Sequence, residues 1–585
     1  MDTDLLDAAR RWIAADPDPT TRQEMQSLVD AGDLVALEDR LGSSLTFGTA
    51  GLRGVLGAGT NRMNLAVVLR TTAGLCRYLV AVDPARAQRG VVVGYDGRRM
   101  SREFAEAAAR VIASEGLPCH LFDDLGPTPL VAYAVLALDA AAGVMVTASH
   151  NPPEYNGYKV YWGNGAQIIP PQDVGIAAAI DAAPPASELR LPSLAEARAA
   201  GRVTAVPATL TTAYRDAVLA LDPGPAGAPL RIVYTAMHGV GAALATDVLA
   251  RRGEVFSVPE QHAPDGAFPT VRFPNPEEPG AMDLALALAR EKRADLVIAN
   301  DPDADRLAVA IPEKVGWTQL TGNEVGVLLG HELLTRAIAQ GAAPSSLLVA
   351  LSIVSSPLLP RIARDLGAEC AETLTGFKWI ANRAMEVQRA RGLRFVFGYE
   401  EALGYSVGEL VRDKDGVSAA YALAGLAGRL KAQGRTLRDR LDEIARAYGL
   451  FVSGQHSVTA PGAEGRAAID AAMRSFRAEP PWTLCGTTVL EVTDYQSGLR
   501  TLATGETAPT GLPPSDVLSF ALEGGSRVML RPSGTEPKIK YYFDLRVDVD
   551  AGTAMELSLA QARAYLATFI LAFREGCRAR GVVGG

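Results

Sequence analysis

Cysteine is scarce and scattered in this 585-residue chain. No two of Cys76, Cys119, Cys370, Cys485 and Cys577 stand in CxxC spacing, and the odd count does not suggest a disulfide frame. A long hydrophobic run is also lacking. The most apolar window, Leu130–Ala148, is interrupted by Asp139 and Gly143 and reads as a helix followed by a buried strand, not a membrane span. Excess positive charge is missing, since the formal net charge is −9. That argues against a general nucleic-acid binder, although a local basic groove could still hold phosphate. The opening residues Met1-Asp2-Thr3-Asp4 lack the basic start of a signal peptide. The expectation is a protein of the reducing cytoplasm, with neither membrane nor nucleic acid as partner.

Several chemistries are excluded by what their motifs lack. No GK[ST] occurs, which weakens a nucleotide-triphosphatase reading. His331-Glu332 is followed by Thr335 where a zinc peptidase needs its second histidine. Gly239 and Gly241 begin a dinucleotide fingerprint, but Leu244 takes the third glycine's place. That loop reads as a phosphate or sugar loop, or as a plain strand–helix turn.

What is present describes an ordinary globular protein, 48% hydrophobic and 21% charged, too long for one core; three or four domains are expected. The stretch Gly143–Trp162 organises the rest. Val144-Met145-Val146 has strand composition, and Asn151-Pro152-Pro153 forbids helix and ladder pairing. Ser149 is left at a strand's end on a loop stiffened by two prolines. Asn156-Gly157 is a turn signal, and Tyr158-Lys159-Val160-Tyr161 reads as a returning strand that brings Lys159 back towards Ser149. A hydroxyl and an amine on one rigid loop suit acyl or phosphoryl chemistry; a tight turn kept for shape alone is the bland alternative.

Residues 1–40 carry helical spacing broken by Asp16-Pro17-Asp18-Pro19, which fits two short helices without chemistry. Phe47–Gly54 has three glycines and Arg53, an anion loop or a flexible linker. Val91–Tyr95 is a buried strand running into Asp96-Gly97-Arg98-Arg99, Ser101–Glu115 is helical, and Cys119–Phe122 is another strand. This alternation predicts an α/β layer, where ligands sit beyond the carboxyl ends of strands. Proline and alanine around Ala182–Pro207 mark a boundary, after which the strand Arg231–Thr235 leads into a helix from Ala242.

Asp301-Pro302-Asp303-Ala304-Asp305-Arg306 lies between two strands. Three carboxylates at alternate positions of a tight turn repel one another unless a cation joins them, and hard oxygen ligands suit magnesium. An EF-hand fails, because Arg306 and Pro312 stand where its glycine and glutamate belong. Further on, the strand Phe395–Phe397 feeds Glu400-Glu401 among tyrosines. That suits sugar hydroxyls, with rings covering apolar sugar faces, or is a charged loop with tyrosines packed beneath. Arg531-Pro532-Ser533-Gly534-Thr535 offers a phosphate cradle.

In order and spacing, TASHNPP with NGYKVY, DPDADR, GYEEALGY and RPSGTEP resemble the α-D-phosphohexomutases, and FGTAGLRG and TGFKWI resemble their phosphoglucomutase-2-like branch. The resemblance implies an α/β fold of four domains around a central cleft: three related α/β mixed-sheet domains and a C-terminal α+β domain. A helical extension would span residues 1–46, the phosphoserine domain 47–205 and the metal-loop domain 206–316. The sugar-loop domain would span 317–453 and the phosphate-binding domain 454–585.

It further implies a mutase that moves phosphate between the 1- and 6-positions of a hexose, glucose first, through a bisphosphate. Mannose and pentose phosphates, or a glucose 1,6-bisphosphate synthase, are its alternatives. Ser149 would be the phosphoserine, with Asp301, Asp303 and Asp305 as magnesium ligands and a phosphoserine oxygen as a further one. Arg306, His150, Lys159 and Lys414 would act in catalysis, Lys159 preferred as proton carrier. Arg53, Gly376, Lys378 and Glu400 would bind substrate, and Arg531, Ser533, Gly534 and Thr535 would clamp the non-reacting phosphate. Mg2+ and glucose 1,6-bisphosphate, the latter as activator, are the implied cofactors; sugar phosphates are the partners of a monomer or homodimer. Ala402 and Tyr405 depart from the serine and histidine common near those places, which loosens the sugar preference.

Overall fold

Runs of small apolar residues between charged turns build strands that are buried on both faces. The computed structural model describes residues 2–47, 51–222, 227–460, 462–533, 538–550 and 552–579. They fall into two compact units. One comprises Met1–Val325, Gly376–Arg391 and Phe395–Gly434; the other comprises Gly326–Thr375, Gly392–Arg394 and Arg435–Gly585.

In the first unit the chain opens with helices Asp2–Ala15, Pro19–Ala31 and Leu34–Leu41, three instead of the two expected. Helical spacing runs on past residue 31, but the Asp33 side chain accepts from Ala36 N–H and starts a separate helix. Ala9, Trp12, Met25, Leu37 and Ala58 form their small shared core.

A six-stranded sheet follows, in the order Leu52–Val55, Tyr155–Trp162, Ala142–Val146, Val91–Tyr95, Cys119–Leu121, Val203–Ala205. The last four strands are parallel, and Tyr155–Trp162 runs antiparallel to Ala142–Val146 with Met145 opposite Lys159. Parallel strands need crossovers, here helices Ser101–Ser114 and Thr128–Ala137. Helix Leu65–Val82 is long and apolar enough to cross a membrane, yet more than half of it is buried, and Leu69, Leu75 and Leu79 pack in the core.

Asn156-Gly157 is not the turn that its composition suggests. Both residues lie inside Tyr155–Trp162, and Gly157 pairs with Arg53 on Leu52–Val55. A Cβ there would stand 2.6 Å from the Thr147 carbonyl oxygen and 2.7 Å from that of Leu52, so glycine serves close strand approach. The turn itself is residues 147–154.

The second sheet runs Trp317–Gln319, Ala308–Pro312, Leu296–Ala299, Leu230–Thr235, Gly253–Ser257. Its last three strands are parallel and the first two antiparallel, so Leu296–Ala299 and Ala308–Pro312 form the hairpin that holds the aspartates. Helix Phe377–Arg391, the antiparallel pair Arg394–Glu400 with Gly404–Val407, and the buried helix Gly416–Ala432 follow.

The second unit holds the parallel strands Leu347–Ser352 and Glu369–Thr373. Its antiparallel sheet includes Leu450–Thr459, Lys538–Val547, Arg527–Pro532, Leu518–Leu522 and Thr487–Asp494. Phe569 and Phe573 of helix Met555–Ala579 pack on Phe543, which closes the core of the C-terminal α+β domain. Mixed sheets with crossover helices, followed by a sheet-rich C-terminal domain, are the fold class expected from the sequence.

Candidate active site

Two parallel strands of the first sheet end side by side, Tyr95 opposite Val146, and the loops beyond them form the first half of the site. Ser149 is buried and left-handed at φ +52°, a region that non-glycine residues rarely adopt. Its N–H donates to Thr147 Oγ1 at 2.9 Å, and the Thr147 hydroxyl donates to Asp96 Oδ2 at 2.6 Å. Asp96 also accepts from Ser101 Oγ at 2.7 Å, and burial pushes its carboxyl up. Beside it Arg98 is buried with its guanidinium against the backbone of the serine loop, donating to the carbonyls of Ser149, Asn151, Pro152 and Tyr155.

The second half is residues 300–307, between Leu296–Ala299 and Ala308–Pro312. Ala304 is left-handed at φ +54°, which lets its N–H close a turn onto the Asp301 carbonyl at 2.8 Å. Tyr234 O–H donates to Asn300 Oδ1, and Asn300 Nδ2 donates to the Arg306 carbonyl, pinning both ends of the loop. The Met237–Gly241 loop joins strand to helix and packs on the aspartate loop: Val240 N–H donates to Pro302 O at 2.8 Å. A Cβ on Gly239 would lie 2.3 Å from Pro302 Cα, so only glycine fits beneath the aspartates.

The two halves meet. Ser149 Oγ donates to Asp301 Oδ2 at 2.7 Å. Lys159 Nζ donates to Asp303 Oδ2 and Asp305 Oδ2, both at 2.7 Å, while Thr128 N–H and O–H bind the Asp303 carbonyl and carboxylate. Asp301, Asp303 and Asp305 are wholly buried, and one oxygen of each lies within 4.8 Å of the others. Asp303 Oδ1 and Asp305 Oδ1 are buried without a hydrogen-bond partner. Burial, then the charges of Asp303 and Asp305, push the Asp301 carboxyl well above the usual range. Burial acts the same way on Asp303, but Lys159 outweighs it and holds that carboxyl below its ordinary value. Three converging carboxylates with orphaned oxygens fit a hard divalent cation.

Cations ring this cluster. Lys414 Nζ lies 3.2 Å from Asp305 Oδ2, and Arg306 Nε lies 3.9 Å from Asp305 Oδ1 and 4.0 Å from Asp301 Oδ2. Arg53 Nη1 reaches Asn151 Oδ1 of the serine loop at 3.4 Å. His150 packs edge-on against Phe273; burial first, then Arg306 and Arg53, push its imidazole well below the ordinary value, so it is neutral at pH 7. Lys159, the preferred proton carrier, keeps its charge here. Burial favours the neutral amine, but Asp303 and Asp305 outweigh it and hold the proton on.

The sugar loop is a hairpin in which Glu400 Oε1 accepts from Gly376 N–H at 2.6 Å. Tyr399 and Tyr405 are fully buried, stacked with Phe397 at ring separations of 6.0–6.5 Å. They support the hairpin from beneath and do not cover a sugar face. Lys378 lies 3.9 Å from Asp173, and burial pushes its amine down. In the second unit, Arg531 pairs with Lys540 across two strands, and Ser533 N–H donates to Lys538 O at 2.7 Å. Gly534 and Thr535 lie outside the described residues, as do Gly48–Ala50 of the early glycine loop.

Sequence reading passed over Asp96, Arg98, Thr128 and Asp413. Asp413 accepts from Tyr161 O–H and Gln167 Nε2, each at 2.7 Å, and so ties the Lys414 segment to the strand carrying Lys159. The available signal was a charged pair directly past a buried parallel strand, at Asp96 and Arg98.

Family models described as phosphoglucomutase/phosphomannomutase alpha/beta/alpha domains I, II and III match residues 44–186, 213–315 and 321–448. A Haemophilus influenzae protein named probable phosphomannomutase is 43% identical over 83% of this chain and 93% of its own length. A Schizosaccharomyces pombe protein named probable phosphoribomutase is 38% identical over 96% of each chain. A Staphylococcus epidermidis phosphoglucomutase is 35% identical over 87% of this chain and 92% of its own.

Proposed function

This chain belongs to the phosphoglucomutase/phosphomannomutase family of mutases, and we propose that it interconverts glucose 1-phosphate and glucose 6-phosphate through a phosphoserine at Ser149. The observation that carries the reading is the 2.7 Å hydrogen bond from Ser149 Oγ to Asp301, inside a buried cluster of three carboxylates ringed by Lys159, Arg306, Lys414 and Arg53.

In the forward step a sugar hydroxyl oxygen bonds to phosphorus while the bond from phosphorus to Ser149 Oγ breaks; the hydroxyl loses its proton and Oγ regains one. The product is a glucose 1,6-bisphosphate. Return of its other phosphoryl to Ser149 Oγ completes the exchange, and added bisphosphate acts as activator by rephosphorylating a serine that has lost its group. Phosphoryl transfer asks for alignment and charge neutralisation more than for covalent help. Asp301, Asp303 and Asp305 would hold Mg2+, which when bound neutralises charge on the transferring oxygens. Arg306 and Arg53 add fixed positive charge beside them. Lys159 starts protonated between Asp303 and Asp305, and this proton-sharing cluster is our choice of carrier ahead of Lys414 and His150.

Glu400, held by the Gly376 N–H, is proposed to bind sugar hydroxyls, with Lys378 as a further contact. Arg531 and Ser533, with Gly534 and Thr535, are proposed to hold the non-reacting phosphate. A reducing cytoplasm is proposed as its location. A pentose phosphate mutase is the second reading, favoured by the full-length likeness to the protein named phosphoribomutase. A coupled assay with Mg2+ and trace glucose 1,6-bisphosphate tests both readings. Turnover of glucose 1-phosphate ahead of mannose 1-phosphate and ribose 1-phosphate is expected. Ribose turned over fastest would establish the second reading, and no turnover of any of the three would sink both.

A further inference from the structure

Arg98 touches none of the carboxylates of the aspartate cluster within hydrogen-bond distance, yet it gathers the backbone around Ser149. Nη2 donates to the Ser149 carbonyl at 2.6 Å and to that of Asn151; Nη1 donates to Pro152 O at 2.9 Å and Tyr155 O at 3.2 Å. Asp96 Oδ2 lies 3.5 Å from Nε, and the Phe268 ring covers the guanidinium at 4.9 Å from its centroid. Only a planar fork of donors can serve four carbonyls at once. The Ser149 carbonyl contact is buried and the other three are part-buried, so losing this donor leaves a desolvation cost, and the loop has one well-supported arrangement.

The geometry has a chemical consequence. In a planar trans peptide, C=O and N–H point to opposite sides. Drawing the Ser149 carbonyl onto Arg98 therefore turns the His150 N–H away from the guanidinium. Among the described residues, that N–H meets no acceptor. The Ser149 N–H is already taken by Thr147, itself held by Asp96, the carboxylate beside Arg98. The two residues thus fix both peptides of a left-handed serine.

We propose that Arg98 is the positioning residue for phosphoryl transfer, holding the Ser149–His150 peptide so that the His150 N–H donates to an oxygen of the phosphoryl group on Ser149. This rests on the reading of Ser149 as the phosphoryl carrier. The bonds made and broken are those already given; through Arg98 the His150 N–H is a fixed donor to the phosphoryl oxygens during transfer, which needs no reorganisation during the step.

The test uses the full-length protein with Arg98→Met and Arg98→Lys. Lysine keeps the charge but cannot span four carbonyls. Single-turnover phosphorylation of Ser149 by glucose 1,6-bisphosphate is followed by intact mass, alongside KM for glucose 1-phosphate and Mn2+ affinity. Transfer should slow by about 10²-fold in both variants, the size expected for a lost or misplaced donor, with KM and Mn2+ affinity nearly unchanged. Arg98→Lys transferring at the wild-type rate would overturn the proposal, as would a loss residing in KM or Mn2+ affinity. If Arg98→Met does not fold, Arg98→Lys decides alone. Ser149→Ala runs in parallel: turnover surviving there overturns the carrier reading, whereas an inactive Ser149→Ala beside a normal Arg98→Lys overturns only the role of Arg98.

Discussion

At the scale of single residues, the site works by opposed charges buried together. Ser149 donates into the aspartate cluster through Asp301, whereas Thr128 donates to Asp303, and on the proposed function Ser149 is the hydroxyl that carries the phosphoryl group. Ser149→Ala should lose turnover by about 10³-fold or more while Mn2+ still binds, measured by coupled assay and calorimetry. Far from this chemistry, His331 carries a pH effect on stability. Burial first, then the charge of Arg440, push its imidazole down from about 6.5 to about 4. The folded form therefore binds fewer protons than the unfolded form between those values. Stability is intact above pH 6.5 and falls as pH drops towards 4, by roughly 3 kcal/mol for a shift of this size. Urea titrations of wild type and His331→Gln from pH 7 to 4 should diverge by that amount; parallel curves would show that the imidazole is not held neutral.

At the scale of elements, loops are placed by strands and fixed by close backbone contact. Gly239 lies under the aspartate loop, where a Cβ would meet Pro302 Cα at 2.3 Å. Gly239→Ala must displace the loop, so Mn2+ affinity should fall by about 10- to 100-fold, as when a support of metal ligands is lost. Unchanged affinity by titration calorimetry would mean that the loop tolerates the shift. Asp222 is buried against Arg252 at 2.6 Å and Arg429 at 2.9 Å, joining the end of helix Ala208–Ala220 to helix Gly416–Ala432. Asp222→Ala removes the buried carboxylate that both guanidinium groups share and should cost about 3 kcal/mol in denaturant unfolding.

These elements also show what a sequence can reveal. The strand before Ser149, the returning strand with Lys159 and the aspartate hairpin were legible because composition and period decide them locally. Asn156-Gly157 misled, because a turn signal and a glycine needed for strand-to-strand approach have the same spelling; only the pairing with Leu52–Val55 separates them. The third N-terminal helix was missed because its start depends on one cap, Asp33. The charged pair Asp96 and Arg98 past a buried strand was a signal, but the role of Arg98 was not legible: its partners are carbonyls 51–57 residues away, and backbone groups carry no sequence signature. For the tyrosines around Glu400 the sequence leaves two readings open, sugar cover or packing beneath the loop; burial is a property of the packed fold and selects the second.

At the scale of the whole molecule, a single unfolding transition is not expected of a chain of 585 residues. Asp222 belongs to the first unit and His331 to the second, so Asp222→Ala should lower one calorimetric transition and acid the other. On the proposed function, Ser149 passes its phosphoryl group directly to the sugar. The decisive experiment mixes protein carrying radiolabelled phosphate on Ser149 with unlabelled glucose 1-phosphate. Within one turnover the label should leave Ser149 and appear in sugar bisphosphate and then in sugar monophosphate. Label that stays on the protein while product forms, or that leaves only as inorganic phosphate, would contradict direct transfer.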